Sequence, residues 1–558
     1  MIRLSAQDAS FLTLETRDTP MHIGFLLTFK LPPRAPANYM QKLHARLERM
    51  AVDAEPFNQR LVQPEGFKRL VQELEPDENI DVQYHLRHEA LPWPGGEREL
   101  GLAVSRLHST KLERTRPLWE CTLIEGLQPE RFALYLKIHH ALADGVGLMQ
   151  QITQTLAESP RGLSLAPWTA PVASTPPPKP TTSADEEWRR FFETMAAGRK
   201  QPKSGKPAGS TVPRGPRCIL NGETTGRRRF ATTSVDLRRV KAVAKAAEAT
   251  VNDVVLALAS GTLRGYLQEF DRVPKDPLLA SVPVALPREP GTTIGSSVAA
   301  VHGSLATDQK DPRKRLFAIR DGMRAAKEEF KRVPTSVSRF INSVGMYAMS
   351  LLPRTQSTDP DKATFTNLTI SNVPGPKEAL YLHGAELEGM YPVSVLAGDH
   401  RLNITVLGYR EALFFGLVAC PDTLPSVQRI AVRLPQALDE LEAAFGLAPK
   451  KAAKARPSGT AAARTATVEE AAEAKGVANK AAAKKVVAKK AVAKKAVAKK
   501  AVAKKAVTKK VVAKKAVAKK VKAKKAVRPR GAALGVEAPV TVVPAATEVV
   551  TTPAAGAA

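Results

Sequence analysis

Two adjacent histidines, His139 and His140, close an apolar run, and Ala-Leu-Ala leads from them to Asp144-Gly145. These are the residues of the chain best suited to chemistry, because an imidazole held neutral near pH 7 is a natural general base. The run before them alternates. Phe132, Leu134, Leu136, Ile138 and His140 fall on one face, and Ala133, Tyr135, Lys137 and His139 on the other, which is the period of a β-strand. Neighbouring histidines on a strand point to opposite sides of the sheet, so only one of the pair can serve a given cleft. Asp144 stands where a helix should start, since Leu148, Met149, Ile152 and Leu156 recur at helical spacing. Strand, histidine, tight loop and helix is a layout in which α/β folds place chemistry at a sheet end. Taken singly, a strand-end histidine also suits a hydrogen-bonded structural role, and the aspartate a plain N-cap.

The whole HHxxxDG string in this setting resembles the signature of the CoA-dependent acyltransferases, which include chloramphenicol acetyltransferase and the condensation domains of peptide synthetases. The flanks narrow the resemblance. Leu4-Ser5-Ala6-Gln7-Asp8-Ala9-Ser10-Phe11-Leu12, with Glu15 and then Thr19-Pro20-Met21-His22-Ile23-Gly24, is similar to the opening of bacterial wax ester synthase/diacylglycerol acyltransferases. So are Leu107-His108-Ser109 and Arg116-Pro117-Leu118-Trp119-Glu120, then Thr250-Val251-Asn252-Asp253-Val254-Val255 and Ser371-Asn372-Val373-Pro374-Gly375-Pro376. Leu402-Asn403-Ile404-Thr405-Val406 and Phe414-Phe415-Gly416 complete the series in the expected order. One departure stands out: Gly295-Ser296 occupies a place where the family usually has Gly-Asn, which bears on activity level or acceptor preference.

Composition and patterning divide the 558 residues into four parts. Residues 1–158 read as mixed α/β, with Ser5 capping a first helix, a strand over Ile23–Phe29 and a helix over Tyr39–Met50. Residues 159–216 are rich in Pro, Ser, Thr and Gly and read as a linker. It carries one helix, capped by Ser183 and Glu186 and lined by Trp188, Phe191, Phe192 and Met195. Residues 217–446 read as a second α/β unit. Its helices are marked by Leu237, Val240, Val243 and Ala247, and then by Asn252 as N-cap with Val251 as staple. Its strands are expected at 278–284, 364–371, 402–407 and 412–418. Residues 447–558 form a low-complexity Lys/Ala/Val tail.

The net charge of +30 belongs mostly to that tail. From Lys450 onward 28 Lys and Arg stand against 5 Asp and Glu, whereas the preceding body carries 56 against 49. Lysine pairs recur every five residues from Lys484 to Lys525, so a helix would be ringed by charge and have no apolar face. The tail resembles those of linker histones. Cys121, Cys218 and Cys420 are too widely spaced for a disulfide framework or a zinc pattern, which fits a reducing compartment. No apolar run reaches the roughly 18–20 residues that span a bilayer, so the expected location is cytoplasmic, peripheral at the inner membrane or lipid droplets. A stripe of Phe340, Ile341, Val344, Tyr347, Leu351 and Leu352, edged by Arg339 and Arg354, suits either core packing or interfacial binding.

The resemblance implies an α/β fold of two chloramphenicol-acetyltransferase-like domains around a central tunnel, with the histidine motif midway along it. The implied reaction is transfer of a long-chain acyl group from acyl-CoA to diacylglycerol or a fatty alcohol, giving triacylglycerol or wax ester. Acyl-CoA is a substrate, and no resident cofactor or metal is implied. His140 takes the base role and His139 a supporting one. Asp144 is structural, paired with an arginine, and Gly145 allows the turn or a close backbone approach. With no GxSxG elbow and no cysteine near a histidine, direct transfer is expected. Ser371 and Asn372 are candidate oxyanion donors, or else only the start of a Pro/Gly turn that shapes the tunnel wall. Asn252 is a candidate substrate contact, or only a helix cap. Expected partners of the tail are an anionic membrane or lipid-droplet surface, or DNA. The rival readings are a condensation-type enzyme acting on carrier-protein thioesters, and a polyanion-binding protein with a vestigial acyltransferase body.

Overall fold

The alternating run before His140 forms a nine-residue strand, Arg131–His139, buried along almost its whole length. Around it, the computed structural model describes residues 1–62, 72–169, 214–286, 294–333, 337 and 363–447. All lie in the first of two units of the chain, Met1–Ala462. The Ser183–Met195 helix, the Phe340–Leu352 stripe and the lysine-rich tail lie outside the described residues.

The first half runs β1 (Ile2–Arg3), α1 (Ala6–Leu14), β2 (His22–Lys30), α2 (Tyr39–Glu48), β3 (Gln59–Leu61), β4 (Glu73–Pro76), α3 (Val82–His85), β5 (Leu86–Ala90), α4 (Glu97–Ser109), β6 (Trp119–Leu127), β7 (Arg131–His139) and α5 (Gly145–Thr155). The second runs β8 (Arg229–Asp236), α6 (Leu237–Ala246), α7 (Val251–Phe270), β9 (Leu279–Ala285), β10 (Val298–Ser304) and α8 (Pro312–Arg332). It continues with β11 (Leu368–Val373), β12 (Tyr381–Leu382), β13 (Ala385–Val393), β14 (Leu402–Tyr409), β15 (Ala412–Ala419) and α9 (Val427–Ala444).

Two six-stranded sheets dominate, ordered β12-β13-β2-β7-β6-β5 and β10-β9-β11-β14-β15-β8, beside a small β1-β4-β3 sheet. The first large sheet is completed by the second half of the chain, because β13 pairs antiparallel with β2 from Glu386 opposite Lys30 to Val393 opposite Gly24. The period-two reading of β7 is borne out by what each face packs on. Phe132, Leu134, Leu136 and Ile138 share a core with Phe11 of α1, Leu43 of α2 and Leu148 of α5. Ala133 and Tyr135 share another with Leu100 and Val104 of α4 and with Phe230 and Val418 of the second sheet. A third core joins Ile370, Ile404 and Val406 to Val255 and Leu258 of α7, Ile319 of α8 and Leu434 of α9.

Two sequence expectations need correction. The N-cap of α7 is Thr250, one position before its staple candidate Val251. Its hydroxyl accepts from the Asp253 N–H at 3.2 Å, and the Asp253 carboxylate accepts from the Thr250 N–H at 2.8 Å. The strand expected from residue 364 starts at Leu368: the Asn367 N–H donates to the Leu279 carbonyl at 2.8 Å, but the return bond goes to the Asn367 side chain. Its Oδ1 accepts the Leu279 N–H at 2.8 Å, and its Nδ2 donates to the Pro216 carbonyl at 2.6 Å. The stretch read as linker from 159 is packed at its start, where Trp168 is fully buried and stacked on Trp119 at 5.1 Å.

Candidate active site

Backbone pairing fixes where the two histidines sit. His139 lies opposite His22 in the β2–β7 ladder. Its N–H donates to the Leu118 carbonyl at 2.9 Å, and the His140 N–H donates to the Met21 carbonyl at 2.8 Å. The Pro117-Leu118-Trp119 segment thus holds the strand end directly, anchored by the buried Trp119, whose Nε1 donates to the Phe57 carbonyl at 2.8 Å.

On the face with α1, the His140 imidazole lies flat against the Phe11 ring, with centroids 4.2 Å apart and planes 8° from parallel. Nδ1 is buried and has no partner from another described residue. Burial pushes the His140 pKa below 6.5, while its own backbone hydrogen bond and the Asp144 charge pull it back up. The ring is therefore a neutral imidazole at pH 7, as a proton acceptor must be.

His139 faces the other way, toward the buried Glu15. Its Nδ1 accepts the Ala141 N–H at 3.1 Å, which places the proton of the neutral ring on Nε2. Nε2 stands 3.8 Å from Oε1 of the buried Glu15. That oxygen also accepts the Met21 N–H at 3.1 Å. Oε2 of Glu15 pairs with Arg114 at 3.0 Å and Lys111 at 3.3 Å. Burial, first, and then the Arg114 charge hold the His139 pKa well below 6.5. Glu15 thus holds Met21, and Met21 holds the backbone of His140.

Asp144 does two jobs. Its side chain caps α5 by accepting the Gly147 N–H at 2.7 Å, and Oδ2 accepts the Ser297 N–H at 3.1 Å. The arginine pairing expected for it is not placed by the described residues. Gly145 is expected to allow the turn or a close backbone approach. It is the first residue of α5 and has no positive φ, and an added Cβ would meet only the Val373 side chain, at 3.7 Å. What it leaves is space between the start of α5 and the end of β11. Asp144→Ala is expected to lower the thermal midpoint and turnover together, since cap loss alone costs about 1 kcal/mol. Activity lost with an unchanged melting curve would contradict this structural role.

The Gly295-Ser296 departure falls on this loop. The Gly295 N–H donates to the Leu142 carbonyl at 2.9 Å, and Gly295 bridges to Ala143. The Ser296 N–H donates to Asp8 Oδ1 at 2.8 Å. The segment before β10 is thus fastened to the histidine loop and to α1. Neither Asp8 nor Glu15 carries a role in the sequence reading. Both stand only as members of the opening motif, because their partners lie far along the chain.

The structure separates the remaining candidates. Alternation along β11 puts Ser371 on the face of Val373, which belongs to the first core, and Asn372 on the face of Leu368 and Ile370, which belong to the third. Ser371 pairs with Thr405 of β14, and Thr369 with Asn403. The turn after β11 is fastened by the Arg410 N–H to the Pro376 carbonyl at 3.0 Å. Asn252 is the second residue of α7. That helix packs on the third core, across the second sheet from Ser371. Among the described residues no group of three His, Cys, Asp or Glu is placed to hold a metal ion.

Buried histidines surround this site. Burial is the first cause of a lowered pKa at His22, His85, His108, His139 and His140, and it takes His108 to about 3. Unfolding restores their value of 6.5, so below that pH the unfolded chain binds more protons and stability falls. The thermal midpoint is expected to decline steadily as pH is lowered from 6.5 toward 4.5. A midpoint flat over that interval would contradict neutral burial.

Two family models match the chain: the wax ester synthase/diacylglycerol acyltransferase catalytic domain over residues 4–255, and the C-terminal domain of the same family over residues 294–442. An O-acyltransferase of Acinetobacter baylyi is 36% identical, over 78% of this chain and 96% of its own length. The solved wax ester synthase/diacylglycerol acyltransferase of Marinobacter aquaeolei is 37% identical, covering 80% of this chain and 100% of that one with a TM-score of 0.61. A trichothecene 15-O-acetyltransferase from Fusarium sporotrichioides shares the fold alone, at 10% identity and a TM-score of 0.54 over 79% of this chain and 95% of its own. On these matches, and on the HHxxxDG loop they contain, the chain belongs to the wax ester synthase/diacylglycerol acyltransferase family.

Proposed function

We propose that this chain is an O-acyltransferase that moves a long-chain acyl group from acyl-CoA to the hydroxyl of diacylglycerol or a fatty alcohol. The observation that carries the reading is His140: a buried imidazole at a strand end, stacked on Phe11, on the strand face opposite His139, with its backbone N–H held by the Met21 carbonyl. His140 removes the acceptor proton as the oxygen attacks the thioester carbonyl. The carbon–sulfur bond then breaks, and the imidazolium returns the proton to the departing CoA thiolate. His139 and Asp144 position the loop without touching substrate. Ser371 is the oxyanion donor favoured by strand alternation, whereas Asn372 and Asn252 lie toward the third core, on the far side of the second sheet, and take no part in the transfer. Purified protein supplied with palmitoyl-CoA and either dipalmitoylglycerol or hexadecanol should release CoA thiol and form the matching ester. Failure with both acceptors would refute the reading.

The tail fits a role in location. No helix among the described residues is long and apolar enough to cross a membrane. A segment with 28 Lys and Arg against 5 Asp and Glu is attracted to an anionic lipid surface, where the acceptors of the body reside. Truncation after Leu447 is expected to preserve turnover on detergent-dispersed substrate and to abolish salt-sensitive binding to phosphatidylglycerol vesicles. Binding to DNA in preference to vesicles would move the tail's partner to nucleic acid. Unchanged vesicle binding after truncation would refute the assignment.

A further inference from the structure

Phe11 is the aromatic side chain stacked on the proposed base, and the family reading gives it no task. Its helix is fastened at both ends. At the N-terminus the Ser5 hydroxyl accepts the Asp8 N–H at 3.1 Å, and Asp8 holds the Ser296 N–H. At the C-terminus Glu15 holds Met21 and pairs with Arg114 and Lys111. Phe11 lies between these ends, buried, in the same core as Ile138. A helix tied at both ends presents a ring whose plane is settled before substrate arrives.

We propose that Phe11 is a positioning residue for acyl transfer: its face sets the plane of the His140 imidazole and stabilises the imidazolium formed when His140 takes the acceptor proton. The inference rests on His140 being the base. At a centroid distance of 4.2 Å the ring lies within the roughly 6 Å over which an aromatic face attracts a cation. The benefit is specific to the charged form, so it acts in the transition state and leaves ground-state binding nearly untouched. It is needed because burial disfavours charge at this site. Among the described residues, the other charged and titratable groups around the ring are Asp144, His139 and Asp8. Asp144 on the following loop favours the imidazolium. His139 lies on the reverse face of the strand. Asp8 on α1 is occupied by Ser5 and Ser296. Proton and electrons balance within the reaction already described: the proton taken by His140 leaves on the CoA thiol, and no further reactant enters.

The test compares Phe11→Leu, which keeps an apolar side chain but removes the ring face, with Phe11→Tyr, which keeps the face. Turnover with palmitoyl-CoA and hexadecanol is measured against pH, with His140→Ala and a melting curve run alongside. Phe11→Leu should lower kcat about tenfold with KM within twofold. It should also move the acid limb of the kcat profile to lower pH, because an imidazolium without the ring face loses its proton more readily. Phe11→Tyr should restore both the rate and the limb. The proposal is overturned if Phe11→Leu leaves kcat and the limb in place. It is also overturned if Leu and Tyr variants lose rate equally with the limb unmoved, which marks a packing role. Wild-type turnover by His140→Ala would overturn the base assignment itself, and this inference would fall with it.

Discussion

His140→Ala is expected to reduce turnover by about 10²–10⁴-fold, the usual cost of losing a general base, with the melting curve little changed. The expectation follows from position and environment together. The imidazole stands at the end of β7, stacked on Phe11, and its backbone N–H rather than its side chain holds the strand end. Alanine keeps that backbone bond. The pH profile carries the same claim with a definite sign. Since burial lowers the His140 pKa below 6.5, the wild-type rate should stay level down to that pH and fall only below it, as the base becomes protonated. His139→Ala should behave differently, losing stability along with rate, because His139 is the fully buried neighbour of Glu15. A His140→Ala protein as active as wild type would remove the mechanism. So would a profile that lost its acid limb in His139→Ala and kept it in His140→Ala.

Gly295→Ala is expected to damage the site from a distance in sequence. Gly295 has φ of 98°, in the region that favours glycine, and an added Cβ would stand 2.4 Å from Asp8 Oδ2. Strained backbone of this kind costs about 1–3 kcal/mol. Relief requires either the Asp8 carboxylate to leave the Ser296 N–H or the segment to move away from Asp8, Leu142 and Asp144, which it holds through three backbone N–H groups. The thermal midpoint should fall and kcat should drop about tenfold or more as the histidine loop loosens. An Asp8→Ala change added to Gly295→Ala removes the clashing carboxylate and should restore part of the stability. If Gly295→Ala alone were neutral in both measurements, the docking of this segment would not support the loop.

Local pattern was enough to place the strand, the loop and the helix that carry the two histidines and Asp144. The two-residue period put His139 and His140 on opposite faces, the family resemblance assigned their roles, and helical spacing marked Asp144 as a helix start, because both local signals live within a dozen residues. The fold class followed from the resemblance together with the alternation of strand and helix patterns. What pattern missed was long-range. Nothing near Glu15 indicates that it meets His139, and nothing near Asp8 points to Ser296. The pairing of β13 with β2 joins segments more than 350 residues apart and has no local signature. The N-cap of α7 was misplaced because Thr250 and Asn252 are both good capping types, and only the reciprocal bond to Asp253 decides between them. At the late start of β11 the Asn367 side chain takes the return bond of the ladder, which alternation cannot reveal. Ser371 and Asn372 were inseparable by composition and become distinct once each face of β11 has a known core behind it.

The central claim is direct acyl transfer to an alcohol, driven by His140 without an acyl-enzyme. Its most direct test is a single-turnover experiment in which excess purified protein meets radiolabelled palmitoyl-CoA, with and without hexadecanol, followed by rapid quenching. The account predicts that CoA thiol and wax ester appear together, in equal amounts, only when the alcohol is present, and that no label stays on the protein. A stoichiometric burst of CoA thiol in the absence of alcohol, with label bound covalently to the chain, would contradict it.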